Sequence, residues 1–454
     1  MSFADTFIRT AQRVLPSPFT IAILLTFLTF GLALLLTPAP AEQNHLMALL
    51  LYWEGGFFDF LTFAMQMMLI LVLGHVLALT RPADAFLQVL VKHCTTTPKA
   101  AFLVTLVSIL VAFFNWGLAL ILGAIFARKV GEFATKNQLP LHYPLIGAAG
   151  YSGLMVWHGG LSGSAPLKVA EEGHKFVEQI GVLPFSSTIF SSSNVICMGL
   201  LAVLVPSAMY WLGKRSTGQV PDLLTNASTS STSANELEGA ERLDHSPILA
   251  YGLGGLMLFI GVYKVVLRPI LAGQGFDWSF SFINPNYLIF MLFGLAILLH
   301  GSFFRFQQAA AQGLGGSLGI LLQFPFYAGI MGIMIDSGLA NVFSNGFVAI
   351  ANETTFPLFT FLSAGLVNIF VPSGGGQWLV QGPILIEASQ ALQVPIEKSL
   401  MALCYGDQIT NMLQPFWALP LLGITGLKAK EILPYTLFLL LIGSFIFCAV
   451  LLFL

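Results

Sequence analysis

Hydrophobic residues come along this chain in blocks rather than as a stripe on an otherwise polar surface. Nearly charge-free stretches cover about 19–37, 60–79, 101–127, 143–167, 192–213, 247–263, 285–304, 313–335, 355–386, 399–427 and 432–454. Most reach the roughly 20 helical residues needed to cross a hydrocarbon core of about 30 Å. Lipid offers no partner to an exposed backbone N–H, so such blocks must close their hydrogen bonds internally, as helices. The two-residue alternation of an outer-membrane barrel is absent. The pattern predicts an all-α polytopic integral membrane protein, with membrane lipid around it.

Composition agrees, since 56% of the 454 residues are hydrophobic and 9% charged, where a soluble domain carries roughly 25% charged residues. A net charge of −2 without a basic patch gives no footing for a nucleic-acid partner. Cys94, Cys197, Cys404 and Cys448 lack paired spacing and read as lone apolar thiols. Arg9 and Arg13, with Ala39-Pro40-Ala41 beyond the first apolar run, imitate a secretory signal. That run is longer than a usual signal core and has a partner later in the chain, so it reads as a structural helix.

The one long polar stretch, 214–246, is rich in Ser, Thr, Asn and Glu and reads as a flexible linker. Its Asn226-Ala227-Ser228 matches a glycosylation sequon, as chance allows in such a composition. The linker separates a first repeat, 1–213, from a connecting helix and loop, 247–284, and a second repeat, 285–454. Phe30-Gly31-Leu32-Ala33-Leu34-Leu35-Leu36 reappears as Phe293-Gly294-Leu295-Ala296-Ile297-Leu298-Leu299. Gln66 pairs with Gln323, Asn115 with Asn368, and the interval from Tyr151 to Pro166 equals that from Tyr405 to Pro420. Four matches in one order predict a duplication.

Lysine and arginine placement decides whether the halves are parallel or inverted, because cytoplasmic loops collect these residues. If every block crosses, the 19 basic residues divide 11 against 8. If the blocks at 101–133 and 355–390 instead dip in and return as re-entrant hairpins, the division sharpens to 14 against 5. The second arrangement predicts nine crossings, inverted repeats, a cytoplasmic N-terminus and an external C-terminus.

The hairpins carry their own breaks: Pro372 and Gly374-Gly375-Gly376 in the second, Asn115-Trp116-Gly117 in the first. Each is followed by an interrupted helix, 143–167 or 399–427. Paired interrupted segments in two halves point to a transporter's midplane site, where half-helix N-termini suit a carboxylate and unwound carbonyls a cation. The candidate substrate-binding residues are therefore Asn115, Trp116, Gly117, Gly159, Gly160, Ser162, Ser164, Ser373, Gly374, Gly375, Gly376, Gln377, Asn411 and Gln414. Glycine also serves plain helix packing in membranes, so each has a structural alternative. Asp407 is an acid inside an apolar block, where charge is costly and usually functional. It is the candidate for a coupling ion or proton, with Asn411 and Gln414 at helical spacing on its face. His158, beside the first break, is a proton shuttle or a histidine satisfied by backbone. Asp336 and Glu387 read as residues snorkelling at segment ends, and Trp116, Trp378 and Trp417 as pocket walls or packing.

The runs Phe63-Ala64-Met65-Gln66-Met67, Asn115-Trp116-Gly117, Gln323-Phe324-Pro325-Phe326-Tyr327-Ala328-Gly329-Ile330, Val371-Pro372-Ser373-Gly374-Gly375-Gly376, Gln381-Gly382-Pro383 and Gln414-Pro415-Phe416-Trp417-Ala418-Leu419-Pro420 span nearly the whole chain apart from the linker. Together they resemble the bacterial short-chain fatty acid transporter family, the group associated with acetoacetate and butyrate uptake. That family resembles members of the ion transporter superfamily, which implies inverted repeats, two re-entrant hairpins, a homodimer and an elevator motion. Those relatives often hold Ser-Asn-Thr at the hairpin tips. Here Asn115-Trp116-Gly117 and Pro372-Ser373-Gly374 stand there, so sodium coupling is not carried over. Asp407 occupies the place where the family often has glutamate in a Tyr-Gly-Glu-Gln run.

The expectation is a secondary active transporter of short-chain monocarboxylates in the bacterial inner membrane, coupled to Na+ or H+ and needing no other cofactor. An anion channel, or a carrier for another small organic anion such as a dicarboxylate, remains open as the alternative. No P-loop, His-Glu-x-x-His or Gly-x-Ser-x-Gly run supports ATP-driven transport or an enzyme.

Overall fold

An apolar block forms one helix where nothing breaks it, and two where glycine, proline or asparagine does. The computed structural model describes residues 18–41, 43–58, 61–170, 172–221, 223, 239–273, 282, 285–372 and 374–454. The principal helices of the first half are α1 (Pro18–Leu36), α2 (His45–Phe57), α3 (Leu61–Ala78), α4 (Arg81–Val91), α5 (Thr97–Phe114), α6 (Trp116–Lys136), α7 (Tyr143–Tyr151), α8 (Ser164–Val169) and α9 (Ser192–Arg215). After α10 (Pro247–Val262) come α11 (Pro285–His300), α12 (Phe303–Leu314), α13 (Leu318–Asp336), α14 (Leu339–Val348) and α15 (Phe356–Phe370). The chain ends with α16 (Gly374–Ala391), α17 (Ile396–Thr410), α18 (Pro415–Thr425) and α19 (Ala429–Phe453). No strand forms among the described residues; Leu141 and Gln219 make an isolated bridge.

Among the described residues five helical stretches are long and apolar enough to cross a bilayer: Phe19–Leu36, Thr97–Phe114, Ser192–Arg215, Pro247–Leu271 and Ala429–Phe453. A further pair, Leu321–Asp336 and Leu339–Val348, is bent by 66° at its break. The outward faces are apolar, with Phe27 70%, Leu35 82% and Phe445 76% exposed, a surface suited to lipid. The protein is a multi-pass membrane protein. The connecting helix runs further than its apolar stretch implies, because a π-helical turn at Tyr263–Leu267 carries it to Leu271. Lys264 and Arg268 therefore ride on a helix end rather than in a loop.

The order of elements in 18–215 recurs in 285–453. Three helices and a short fourth (α1–α4, α11–α14) lead to a helix pair broken at its middle (α5–α6, α15–α16). A helix interrupted by a 3₁₀ turn follows (α7–α8, α17–α18), then one long helix (α9, α19). Within each broken pair the two helices pack on each other, as a hairpin requires. The residues at the tips differ in placement. Asn115 is itself the break and caps α6 by accepting from the Leu118 N–H at 2.9 Å, whereas Asn368 lies inside α15, one turn before its end.

The polar stretch after Lys214 begins as held chain. Thr135 Oγ1 donates to the Pro221 carbonyl, Arg128 reaches the Leu223 carbonyl at 3.4 Å, and Gln219 bridges to Leu141. The flexibility expected of the linker concerns residues 224–238, which lie outside the described residues.

Candidate functional site

Both hairpin tips and both interrupted helices meet in the middle of the molecule. In the first half α7 passes into 3₁₀ turns at Ser152–Met155 and Trp157–Gly159 before α8 begins at Ser164. The first hairpin is tied to this stretch by backbone. The Leu161 N–H donates to the Phe113 carbonyl at 2.8 Å, and the Trp116 N–H to Ser162 Oγ at 3.0 Å. Trp116 then reaches across both halves, its ring 6.0 Å from Trp157 and 5.4 Å from Trp417. The three indoles form an apolar wall on which a short acyl chain can lie.

The two halves are joined by consecutive residues of α17. Gln408 Oε1 accepts from the backbone N–H of His158 at 2.9 Å and of Gly159 at 3.3 Å. Asp407 Oδ2 lies 2.7 Å from His158 Nδ1, with both side chains fully buried. His158 Nε2 accepts from the Ala165 N–H at 3.1 Å, in the first turn of α8. An imidazole nitrogen that accepts carries no proton, so the ring proton sits on Nδ1 and is donated to Asp407. His158 is thus held by one backbone N–H and one carboxylate. The ring stacks on Trp157 at 4.3 Å and is fixed from three sides.

The second hairpin tip closes onto this histidine. A Cβ at Gly374 would collide with the His158 ring and come 3.0 Å from Ser164 Oγ, so glycine is required by the approach itself. At Gly375 a Cβ would meet Ser164 only at 3.5 Å. Gly375 and Gly376 are half-buried, as are Ser164 and Trp116, so this seam opens outward. Ser373 lies outside the described residues.

The second interruption has different contents. α17 gives way to a 3₁₀ turn at Asn411–Leu413, and α18 starts at Pro415. Asn368 Nδ2 donates to the Asp407 carbonyl at 2.7 Å, Thr410 Oγ1 at 2.9 Å and Asn411 Oδ1 at 3.0 Å; Gln414 Nε2 donates to the Asn368 carbonyl. Asn411 and Gln414 therefore do not share a face with the Asp407 carboxylate, as helical spacing predicts. Asn411 Oδ1 and Gln414 Nε2 bond to Asn368 of the second hairpin, while the Asp407 carboxylate bonds to His158 in the first half. Each break is also held by a tyrosine from the opposite half. Tyr151 donates to the Asn411 and Gln414 carbonyls at 2.8 and 3.3 Å. Tyr405 donates to Asn194, which donates to the Gly159 carbonyl at 2.8 Å.

Four further candidates are engaged in packing, or in hydrogen bonds within their own half. Gln377 turns into its own hairpin, bonding the Ala364 carbonyl at 2.8 Å and Gln381 at 2.7 Å. Gly117 faces Leu288, and Gly159 packs on Asn194 and Met198. Gly160 backs against the Phe113 carbonyl as part of the hairpin tie.

Buried polar atoms without a partner among the described residues separate by type. Hydroxyls of Thr105, Ser108 and Thr360, which can donate or accept, are unpaired in both halves; among amides and indoles, those near the first break are donors, Trp157 Nε1 and Gln408 Nε2. Around the second hairpin and second break they are acceptors, Asn368 Oδ1, Gln377 Oε1 and Gln414 Oε1. Amide orientation is secure in each case, because the opposite atom of each side chain is bound to backbone groups that fix it. Trp157, Gln408 and Asn368 were not singled out by sequence. Buried amides beside a break are a usable signal, but which atom stays unpaired depends on contacts between the halves.

The family described as Short chain fatty acid transporter matches residues 2–454. A protein of Escherichia coli K12, provisionally named a short-chain fatty acid transporter, is 37% identical over 97% of this chain and 96% of its own length. One of Haemophilus influenzae with the same provisional name is 36% identical over 95% of this chain and 94% of its own. Among solved structures, the Alcanivorax borkumensis YdaH transporter is similar at 15% identity and a TM-score of 0.45, over 96% of this chain and 98% of that one.

Proposed function

The chain belongs to the short chain fatty acid transporter family, and from that premise we propose a secondary carrier for short-chain monocarboxylates such as butyrate, coupled to a cation. The observation that carries this reading is the separation of unpaired donors from unpaired acceptors across the two breaks. Unpaired buried donors favour an anion, and Trp157 Nε1 and Gln408 Nε2 offer two N–H groups to a carboxylate. Its alkyl tail would lie against Trp116 and Trp417. Unpaired amide oxygens suit a hard monovalent cation, and Asn368, Gln377 and Gln414 supply three. Asp407 lies between the sets: its backbone carbonyl is bound to Asn368 and its carboxylate to His158. Occupancy at one break is thus felt at the other.

The recurring element order supports inverted repeats. α1, α3, α7–α8, α9, α10, α11, α13, α17–α18 and α19 supply nine crossings, and α5–α6 and α15–α16 the two re-entrant hairpins. With the basic residues as divided above, the N-terminus is cytoplasmic, the C-terminus external and the membrane the bacterial inner one. Elevator-type motion of a homodimer is the working cycle in this reading. Uptake into proteoliposomes tests it, comparing acetate, butyrate and acetoacetate under imposed Na+ or proton gradients. Accumulation of butyrate that collapses with the gradient is expected. Passive anion current at channel rates, or a preference for dicarboxylates, contradicts the reading.

A further inference from the structure

A second anion-binding feature lies at one end of the bundle, away from the breaks. Between the α4–α5 loop and the last turns of α9 a cleft of about 670 Å³ is lined by Lys92, His93, Lys99, Phe102, Ser207 and Tyr210, among others, with no acidic residue on its walls among the described residues. Neither lysine forms an ion pair among the described residues. The N-cap residue of α5, Thr96, gives the helix no side-chain cap, so first-turn N–H groups face the same end as Lys99. Lys214 and Arg215 stand at the end of α9, over the rings of Tyr210 and Trp211 at 5.0 and 3.6 Å.

The rest of α9 shows what the cleft is continuous with. Leu200, Val203 and Leu204 are exposed on the helix surface, followed by Tyr210 and Trp211 and then the basic pair. Apolar residues, then aromatic, then cationic, is the sequence of environments from acyl chains to headgroups. A soluble anion would need the charges but not that apolar approach.

We propose that this cleft binds the phosphate headgroup of an anionic phospholipid, held by Lys92 and Lys99, with its acyl chains along the exposed face of α9. The end concerned also carries His142, since the His142 N–H donates to Thr97 Oγ1, and Lys214 and Arg215 at the end of α9. It is therefore the basic end of the molecule, facing the anionic leaflet.

The test uses the full-length protein purified in detergent and titrated with fluorescent phosphatidylglycerol or phosphatidylcholine. The wild type should prefer phosphatidylglycerol by roughly 30-fold, the effect of two lysine–phosphate contacts. Lys92→Gln with Lys99→Gln should reduce the preference to within twofold, and the corresponding Arg pair should restore it. Ser207→Trp, which fills the cleft and keeps both charges, should also abolish it, so the test survives if the lysine pair fails to fold. Equal affinity for the two lipids overturns the proposal, as does an unchanged preference in both variants. Displacement of the lipid by millimolar inorganic phosphate overturns it in favour of a free anion.

Discussion

The two interrupted helices share a backbone plan and differ in what fills it. The first break is built from glycine, tryptophan and one histidine. Its backbone groups are taken up by Gln408, Asn194 and the first hairpin, which leaves side-chain N–H groups unspent. The second break is built from amides, which spend their N–H groups on carbonyls and leave oxygens unspent. One interruption of an α-helix can thus be tuned toward an anion or a cation by the side chains that repair it. The hydrogen bond from His158 Nδ1–H to the Asp407 carboxylate links the two side chain to side chain.

Removing the link should have the largest effect. Asp407→Asn keeps an acceptor for His158 but removes the buried charge. Gradient-driven butyrate uptake should fall roughly 100-fold with normal expression, in line with the ~3 kcal/mol that a buried hydrogen bond to a charged group can carry. Full activity would take Asp407 out of the coupling. Next comes the contact of the second tip with the first break. Gly374→Ala must displace a ring held by two hydrogen bonds and a stack, an overpacking cost of about 2 kcal/mol, or roughly a 30-fold loss of uptake. Gly375→Ala, whose Cβ would make only ordinary contact with Ser164 at 3.5 Å, should stay within twofold. Equal effects of the two would dissolve the distinction between them.

The architecture was largely legible because it rests on composition and punctuation. Apolar runs, Asn115, Pro372 and the glycine clusters mark where helices start and stop, and these are local properties. Partnership was less legible. The pairing of His158 with Asp407 spans 249 positions, and spacing alone turned Asn411 and Gln414 toward the carboxylate because it assumes an unbroken helix. Their hydrogen bonds go instead to Asn368, 39 positions before Asp407. Gln377 has the residue type of a tip ligand, yet it is drawn into its own hairpin by Ala364. Trp157 and Gln408 gain meaning only once every other hydrogen bond around them is assigned.

The separation of anion and cation chemistry is tested most directly by one paired titration in proteoliposomes. Trp157→Phe keeps the ring and removes only the unpaired N–H. Gln414→Met removes the unpaired oxygen at similar length, together with the Nε2 donor to the Asn368 carbonyl. The half-saturating butyrate and cation concentrations are measured for each. The account predicts that Trp157→Phe raises the butyrate value about tenfold, the worth of one hydrogen bond to a charged group, and leaves the cation value unchanged. Gln414→Met should do the reverse at saturating butyrate. If either variant moves both values equally, or if the pattern is exchanged, the two breaks do not divide the work in this way.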